Sequence, residues 1–497
     1  MKSTLAADRP GWLGSAPAAA LILVMAAFAL RLWTFGDPNL FVDDQFYFLV
    51  GQLMHQGALP YVDIWDRKPL GLFLIYYGIA GISTSVLAYQ IAATGFAAAT
   101  AWVIWRIVLA FSNRQGAIMA GIIYLIVMCP LGGAGGQSPV FYNLFIAGAA
   151  LLVVLEFEAL ARGLVGWRVW AAMSLCALAA TIKQTTIFES LFLGSYVLVS
   201  LHRAGMPARR IAQTTLAFGA IGAVPTIAIG IFYAAIGHWP EYWHAMVTSN
   251  LSKSHLDAAM TWNWARATLV RVILIFGLGV WGLQREPNQR NRRFLLGWLL
   301  AALAGYLAIP NFFVHYVLPV LVPLSIGAGL IFGRKDWGRV IFVAALVFQS
   351  LWYNPLNFAW SRQSAASMDR MATLIRKHDG GGGLLVYDGP PYLYALAGKA
   401  PPSPLTFPHH LNHLIEQDVS HLNTRAELER IIAKGPGVVV ISLRPLNQPA
   451  NLDSYRRIRR YVQSHCQIVG TEIAYELRVK SPMVIFGDCD PPSAVQR

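Results

Sequence analysis

Two short charged clusters between residues 43 and 68 hold the residue types that group transfer needs. The first is Asp43-Asp44-Gln45-Phe46-Tyr47, two adjacent carboxylates with a phenol one helical turn after Asp43. The second is Asp63-Ile64-Trp65-Asp66-Arg67-Lys68-Pro69. A carboxylate can take the proton of an attacking hydroxyl. Lysine and arginine can neutralise charge building on a departing phosphate, and lysine does so as a point charge without demanding bidentate geometry. Uncompensated charge beside hydrocarbon is costly, so its presence there points to function. Simpler roles compete. Asp43 could cap a helix, and Asp63 and Asp66 could pair with Arg67 and Lys68 to hold the loop.

The elements that position these residues are membrane helices. The chain has 497 residues, of which 56% are hydrophobic and 13% charged. A span needs about 20 mostly apolar residues. Such segments are expected at 17–36, 87–110, 117–131, 141–161, 169–182, 184–201, 211–236, 267–284, 294–309, 315–333 and 338–354. Residues 1–16 are then a cytoplasmic tail, and 17–357 a transmembrane domain. The run Ala18–Leu30 behind Lys2 and Arg9 could imitate a signal peptide, but an uncleaved first span fits better, because it delivers Asp43 to the boundary. The net charge of +14 does not indicate nucleic acid. Its lysines and arginines gather in alternate short loops, around Arg114, Arg162, Arg203, Arg290 and Arg334. That is the positive-inside pattern, which makes those loops cytoplasmic, the N-terminus inside and the C-terminus outside. The first outer loop, 37–86, is expected to hold two interfacial helices, at 43–56 and 69–84. Lys183 falls at a tight turn near the outer boundary, where it snorkels or binds an anion.

Residues 358–497 are mixed and polar and read as an extracytoplasmic α/β domain. Strands are expected at 384–387, 438–442, 467–471 and 475–486, and helices at 426–434 and 452–464. Cys129 and Cys176 lie in apolar segments as buried small hydrophobes. An extracytoplasmic location would let Cys466 and Cys489 form a disulfide. His409, His410 and His413 include an i,i+4 pair but lack a fixed carboxylate or cysteine partner, so no metal site is expected. Gly132–Gly136 lacks the Lys-Ser/Thr of a phosphate loop and reads as a flexible turn. The aromatic loop 238–264 suits a sugar site or an interfacial belt equally, and Arg456, Arg457, Arg459 and Arg460 read as a solvated helix face.

With these residues in view, the chain resembles the C-type integral-membrane glycosyltransferases, close to bacterial relatives of the protein O-mannosyltransferases and the lipid A aminoarabinose transferase. The resemblance is carried by Asp43-Asp44-Gln-Phe-Tyr47, Gly57-Ala-Leu-Pro60-Tyr61 and Lys68-Pro69, and more weakly by Lys183 and His315-Tyr316-Val-Leu-Pro319. It implies a polyprenyl-phosphate sugar donor, a lipid, glycan or protein acceptor, surrounding membrane lipids, and no nucleic acid. The enzyme would sit in a bacterial inner membrane with its site facing the periplasm. The implied reaction is an inverting displacement at the anomeric carbon. Asp43 would be the base and Asp44 its backup. Lys68 would bind the donor phosphate with Arg67 and Lys183, and Tyr47, Tyr61, Asp63, Asp66, His315 and Tyr316 would line the site. One departure matters. Relatives often carry a second acid after the third span, where this chain has Asn143 or, on another alignment, Ser138. A metal-bridged site is therefore not expected, nor any cofactor. A transporter or a ligase using a lipid-diphosphate donor are the alternatives. Absent repeat symmetry and charge clustered in one outer loop argue against the transporter.

Overall fold

The computed structural model describes residues 15–251, 256–476 and 479–490. Lys2, Arg9 and residues 252–255 of the aromatic loop therefore lie outside the described residues. Every expected span is occupied by a helix. Among the described residues, seven helices are long and apolar enough to cross a membrane: Ala16–Thr34, Val86–Phe111, Arg114–Leu131, Ser138–Leu155, Ala208–Ala235, Ala258–Gln284 and Val314–Phe332. At the other four expected positions the helices Trp167–Ile182 and Gly338–Trp352 are apolar but shorter, and Ile187–Arg203 and Gln289–Leu307 carry more polar residues.

The first helices set the frame of the site. α1 (Ala16–Arg31) leads into α2 (Val42–His55) and α3 (Leu70–Ile82), which match the two expected interfacial helices, followed by α4 (Val86–Phe111). α5 (Arg114–Met128) and α6 (Ser138–Leu155) flank the glycine-rich turn 132–136. Pro69 precedes α3 in an extended conformation (φ −60°, ψ 151°), as expected where a fixed φ removes a donor that would be orphaned at a helix start. α2 and α3 pack through Gly51. A Cβ there would lie 2.6 Å from the Tyr76 carbonyl carbon and oxygen, so only glycine permits this approach.

The C-terminal domain holds a four-stranded sheet of order β1-β2-β4-β3, with β1 Leu384–Val386, β2 Val438–Ser442, β3 Gln467–Glu476 and β4 Val479–Gly487. β1 and β2 pair parallel, and β4 runs antiparallel to both β2 and β3. The core strand β2 is buried along its whole length, which explains its unbroken Val-Val-Val-Ile run. Helices Thr424–Ala433 and Leu452–His465 begin at Asn423 and Asn451, whose side chains accept from backbone N–H groups of their first turns. Cys466 and Cys489 form a disulfide. Helix Phe358–His378 was not expected from the mixed composition of this stretch. Its Ser361, Ser364 and Ser367 are buried at three-residue spacing and face the sheet and the first loop, so its buried stripe is too polar to register as an apolar face.

The domain is seated on the loop 37–86 rather than hanging beside it. Asn39 Nδ2 donates to Tyr475 O (2.9 Å), Trp65 N–H to Pro404 O (2.9 Å) and Tyr392 N–H to Gln45 Oε1 (3.2 Å). Ser364 Oγ donates to Asp37 Oδ1 at 2.6 Å, in a fully buried spot.

Burial raises the Asp37 carboxyl to about 6, against the opposing effects of Ser364, the Asn39 N–H and Ser361. An acid whose folded value is raised contributes stability below its unfolded value near 3.8 and loses it as pH rises toward 6. Asp37→Asn should therefore raise the melting temperature of the purified protein at pH 7.5, by a gain of roughly 2–3 kcal/mol, and by less at pH 4.5. Equal effects at both pH values would show that Asp37 is ionised in its buried setting.

Candidate active site

Asp43 occupies the first turn of α2, but not as a cap. The residue before the helix is Phe41, whose side chain makes no cap bond. The helix start is satisfied from the other domain instead, by Val42 N–H donating to Glu476 Oε1 at 3.0 Å. A carboxylate at a helix N-terminus is favoured by both the free N–H and the helix dipole. Asp43 is thereby released from local work. It is half-buried, and its Oδ2 accepts from Gln137 Nε2 at 3.0 Å.

Asp44 is fully buried and turned the other way. Its Oδ2 accepts the Gly136 N–H at 2.6 Å, and Tyr76 OH donates to Gly136 O at 2.6 Å. A Cβ on Gly135 would collide with the Asp44 carboxylate, and one on Gly136 with Tyr76 OH. The glycine run expected to be a flexible turn is thus a close-fitting cradle, and its glycines are required by approach of a side chain rather than by mobility.

The two carboxyls are driven apart in acidity. Burial pushes Asp43 up, but Lys68, His315, the Gln137 amide and His409 together outweigh it and hold the group below the usual carboxylate range. Burial pushes Asp44 well up; the Gly136 N–H opposes this, while the charges of Asp43 and Glu476 add to it. One ionised and one neutral acid side by side is the pattern of a base with a protonated neighbour.

Lys68 and Lys183 stand on different elements, and the charge of Lys68 acts on Asp43. Lys68 Nζ lies 5.4 Å from the Tyr47 ring centroid and 3.5 Å from Asp66 Oδ1. Lys183 Nζ lies 5.2 Å from the Tyr316 ring centroid. His315 and Tyr316 pack edge to face at 4.7 Å. Lys183, His315 and Tyr316 line a small cavity with Tyr142, Glu189 and Ser138. Glu189 is buried there and accepts from Trp298 Nε1 at 2.7 Å.

Several expected site residues serve the scaffold instead. Arg67 is bound by both carboxylate oxygens of Glu416 in the C-terminal domain, so it ties the domains together. Tyr61 is buried in a left-handed conformation (φ 71°), and its OH donates to Lys68 O at 2.9 Å, fixing the lysine's backbone. Asp63 is exposed and accepts the Leu59 N–H at 2.7 Å, closing a turn. Asp66 accepts from the backbone N–H groups of Arg67 and Lys68, an Asx-type brace. Asn143 is buried between Tyr124 OH (3.3 Å) and Leu318 O (3.2 Å), and its amide is spent on helix packing.

Two residues at the site were not singled out for it. Gln137 holds Asp43, and its only signal in the sequence was its position beside Ser138, where an acid was sought. His409 had been weighed only as a metal ligand. Its charge interacts with that of Asp43, and its Nε2 is 2.7 Å from Asn447 Oδ1. His413 Nε2 lies 3.0 Å from Gln448 O, and the described residues contain no group of three His, Cys, Asp or Glu set to hold a metal. In the aromatic loop, Tyr242 stacks on Tyr233 at 4.9 Å, and both pack on Tyr61, beneath the Lys68 loop. Arg457 pairs with Asp453 and Glu429 on a solvated face.

Asp43→Asn should cost about 10²-fold or more in turnover with normal folding, as for removal of a general base. Asp44→Asn, which retains an acceptor for the Gly136 N–H and mimics the neutral acid, should cost less than about tenfold. Gly135→Ala should be worse than Asp44→Asn, since it displaces the whole turn. The ranking is checked by turnover of folded variants, and an Asp44→Asn enzyme as dead as Asp43→Asn would reverse the two roles.

No protein-family model and no curated protein sequence matches this chain. Solved structures do match. ArnT from Cupriavidus metallidurans bound to undecaprenyl phosphate is 13% identical, with TM-score 0.61, over 96% of this chain and 98% of that one. Its apo structure matches at 12% identity and TM-score 0.61, over 95% and 98%. An Archaeoglobus fulgidus oligosaccharyltransferase tethered to an acceptor peptide is 11% identical with TM-score 0.51, over 86% of this chain and 69% of that one. A multi-pass helical body, a first loop folded into two interfacial helices and a C-terminal α/β domain seated on that loop therefore give this chain the fold of the C-type integral-membrane glycosyltransferases.

Proposed function

We propose that the protein is an inverting membrane glycosyltransferase that moves a sugar from a polyprenyl-phosphate donor to an acceptor hydroxyl at the outer face of a bacterial inner membrane. The observation that carries this reading is the ionised Asp43, held by Gln137 and flanked by Lys68 and His315, beside a cavity that also holds Lys183. The fold shared with ArnT, a protein whose structure holds undecaprenyl phosphate, supports a lipid-phosphate donor. Eleven spans with the N-terminus inside agree with which loops meet. Loops read as cytoplasmic touch one another through Asn113 with Gly333, Arg339 with Gln115 and Arg290 with Glu158, whereas the first outer loop meets the C-terminal domain. Residues 1–16, 17–357 and 358–497 then form the tail, the transmembrane domain and a periplasmic domain.

In the reaction, the acceptor oxygen bonds to the anomeric carbon as the bond from that carbon to the phosphate oxygen breaks. Asp43 receives the acceptor proton, and the electron pair leaves on the polyprenyl phosphate. Lys68 and Lys183 neutralise the growing phosphate charge. In place of a second acid Asp43 has an amide neighbour, Gln137, so turnover is expected to persist in excess chelator.

The test is lipid profiling of a deletion strain. A polyprenyl-phosphate sugar should accumulate, and the wild-type chain but not Asp43→Asn should clear it. Lys68→Ala and Lys183→Ala should each weaken binding of undecaprenyl phosphate, with non-additive losses in the double variant. An unchanged lipid profile in the deletion strain would refute the donor assignment.

A further inference from the structure

The turn between α5 and α6 touches three of the groups around the proposed base. Gly136 holds Asp44 through its N–H, and Gln137 holds Asp43. Gly132 packs on His315, so closely that a Cβ there would lie 3.1 Å from the His315 Cβ. Residues 132–136 belong to no helix or strand, so side chains must fix them. Tyr76 OH holds the far end at Gly136 O. The near end is held at Gly133, whose N–H donates to Met128 O at 2.9 Å and whose carbonyl accepts from Arg31 Nη2 at 2.8 Å.

Arg31 is an unexpected residue for this place. It is the last residue of α1 and fully buried. Its Nε and Nη1 are buried and, among the described residues, have no hydrogen-bond partner. Burying a charge in this way is costly, and a methionine or leucine would fill the space without that cost. Capping of α1 does not account for it. The last carbonyls of that helix are taken by other side chains, since Tyr353 OH donates to Leu30 O and Thr34 Oγ1 to Arg31 O, both at 2.7 Å. The guanidinium is spent instead on Gly133 O, with Met128 Sδ 3.1 Å from the same nitrogen. A hydrogen bond from a charged donor is roughly twice as strong as a neutral one, which suits a single contact that must fix a glycine turn.

We propose that Arg31 is a positioning residue of the transfer reaction: by holding Gly133 O it fixes the turn that delivers Gln137 to Asp43 and Gly136 to Asp44. The inference rests on the reading of Asp43 as the base of a glycosyltransferase, and it adds a residue that acts on that base from the membrane domain. Arg31 does not line the Lys183 cavity, so its effect passes through the turn rather than through the donor.

The test uses the full-length protein with Arg31→Met, which keeps an extended side chain and loses its donors, alone and combined with Gln137→Ala. Consumption of the accumulated polyprenyl-phosphate sugar is followed in membranes of the deletion strain, and binding of undecaprenyl phosphate by native mass spectrometry. Arg31→Met should lower turnover about tenfold to a hundredfold, the scale of a small displacement of a reacting group, with binding of undecaprenyl phosphate unchanged. The double variant should lose no more than the worse single one, because both changes release the same amide from Asp43. A pH profile reads the same event. Burial raises the Asp43 carboxyl, and Lys68, His315, the Gln137 amide and His409 hold it down. The base works only when ionised, so loss of the amide should move the acid limb of the profile to higher pH in Arg31→Met as in Gln137→Ala, with Lys68, His315, His409 and Asp44 unchanged in both. Should Arg31→Met fail to fold, Arg31→Lys, which keeps a donor cation, should show the same coupling with a smaller loss. Additive losses with an unmoved acid limb would make Arg31 a purely structural residue and overturn the proposal, as would wild-type turnover in Arg31→Met. Failure of the wild-type protein to consume the donor would instead refute the glycosyltransferase reading itself.

Discussion

The contact on which the site depends is the hydrogen bond from the Gly136 N–H to the buried Asp44 carboxyl. It clamps the first turn of α2 to the turn between α5 and α6. Burial keeps Asp44 neutral, so the clamp places no second negative charge beside Asp43. Two adjacent ionised carboxylates would repel and raise each other's pKa. Because one is buried on glycine and the other faces Lys68 and His315, the pair divides into a neutral anchor and an ionised base. Tyr76 then secures the turn by donating to Gly136 O, and Gln137, the next residue, is delivered to Asp43. A single local arrangement thus fixes the position, charge and orientation of the proposed base.

The C-terminal domain completes this arrangement. Glu476 satisfies the start of α2, and Glu416 binds Arg67. These are charge-assisted contacts between sequence-distant groups, and such contacts are stronger and more directional than neutral ones. Removing the domain would take away the Glu476 contact to the α2 N-terminus and the Glu416 contact to Arg67, so Asp43 and Lys68 would both lose their settings. The domain is therefore part of the site, whatever else it binds.

The membrane helices were legible because apolar run length is a strong, local signal, and the strands and caps of the C-terminal domain were legible from the Val438–Ser442 run and from Asn423 and Asn451. Asp43, Asp44, Lys68 and Lys183 were legible because charge at a bilayer boundary is rare. What remained hidden depended on partners distant in sequence. Nothing local to Arg67 indicates that Glu416 will hold it, and nothing local to Asn143 indicates that Tyr124 and Leu318 will use its amide. Helix Phe358–His378 hid because its buried stripe is serine, matched to Asp37 and the β3 backbone rather than to apolar neighbours. Gly135 and Gly136 read as slack for the same reason: a glycine needed for close approach and one needed for freedom look alike until the approaching group is known.

The placement of the base on an interfacial helix follows from the chemistry. A base on a membrane-spanning helix would need a charge maintained in hydrocarbon, at a cost of several kcal/mol. On α2 the charge of Asp43 is supported by Lys68 and His315. A phosphate arriving on a lipid, as proposed for the donor, would need cations at the boundary, and Lys68 and Lys183 lie at the ends of different segments. Lys68 stands beside the Tyr47 ring and Lys183 beside the Tyr316 ring. An aromatic face supports a cation without neutralising it. An acid would pair with a lysine outright, as Glu416 does with Arg67. Aromatic support thus helps to hold both lysines in place. Asp66, within 3.5 Å of Lys68 Nζ, pairs with it only partly, because its Oδ1 is already shared between two backbone N–H groups.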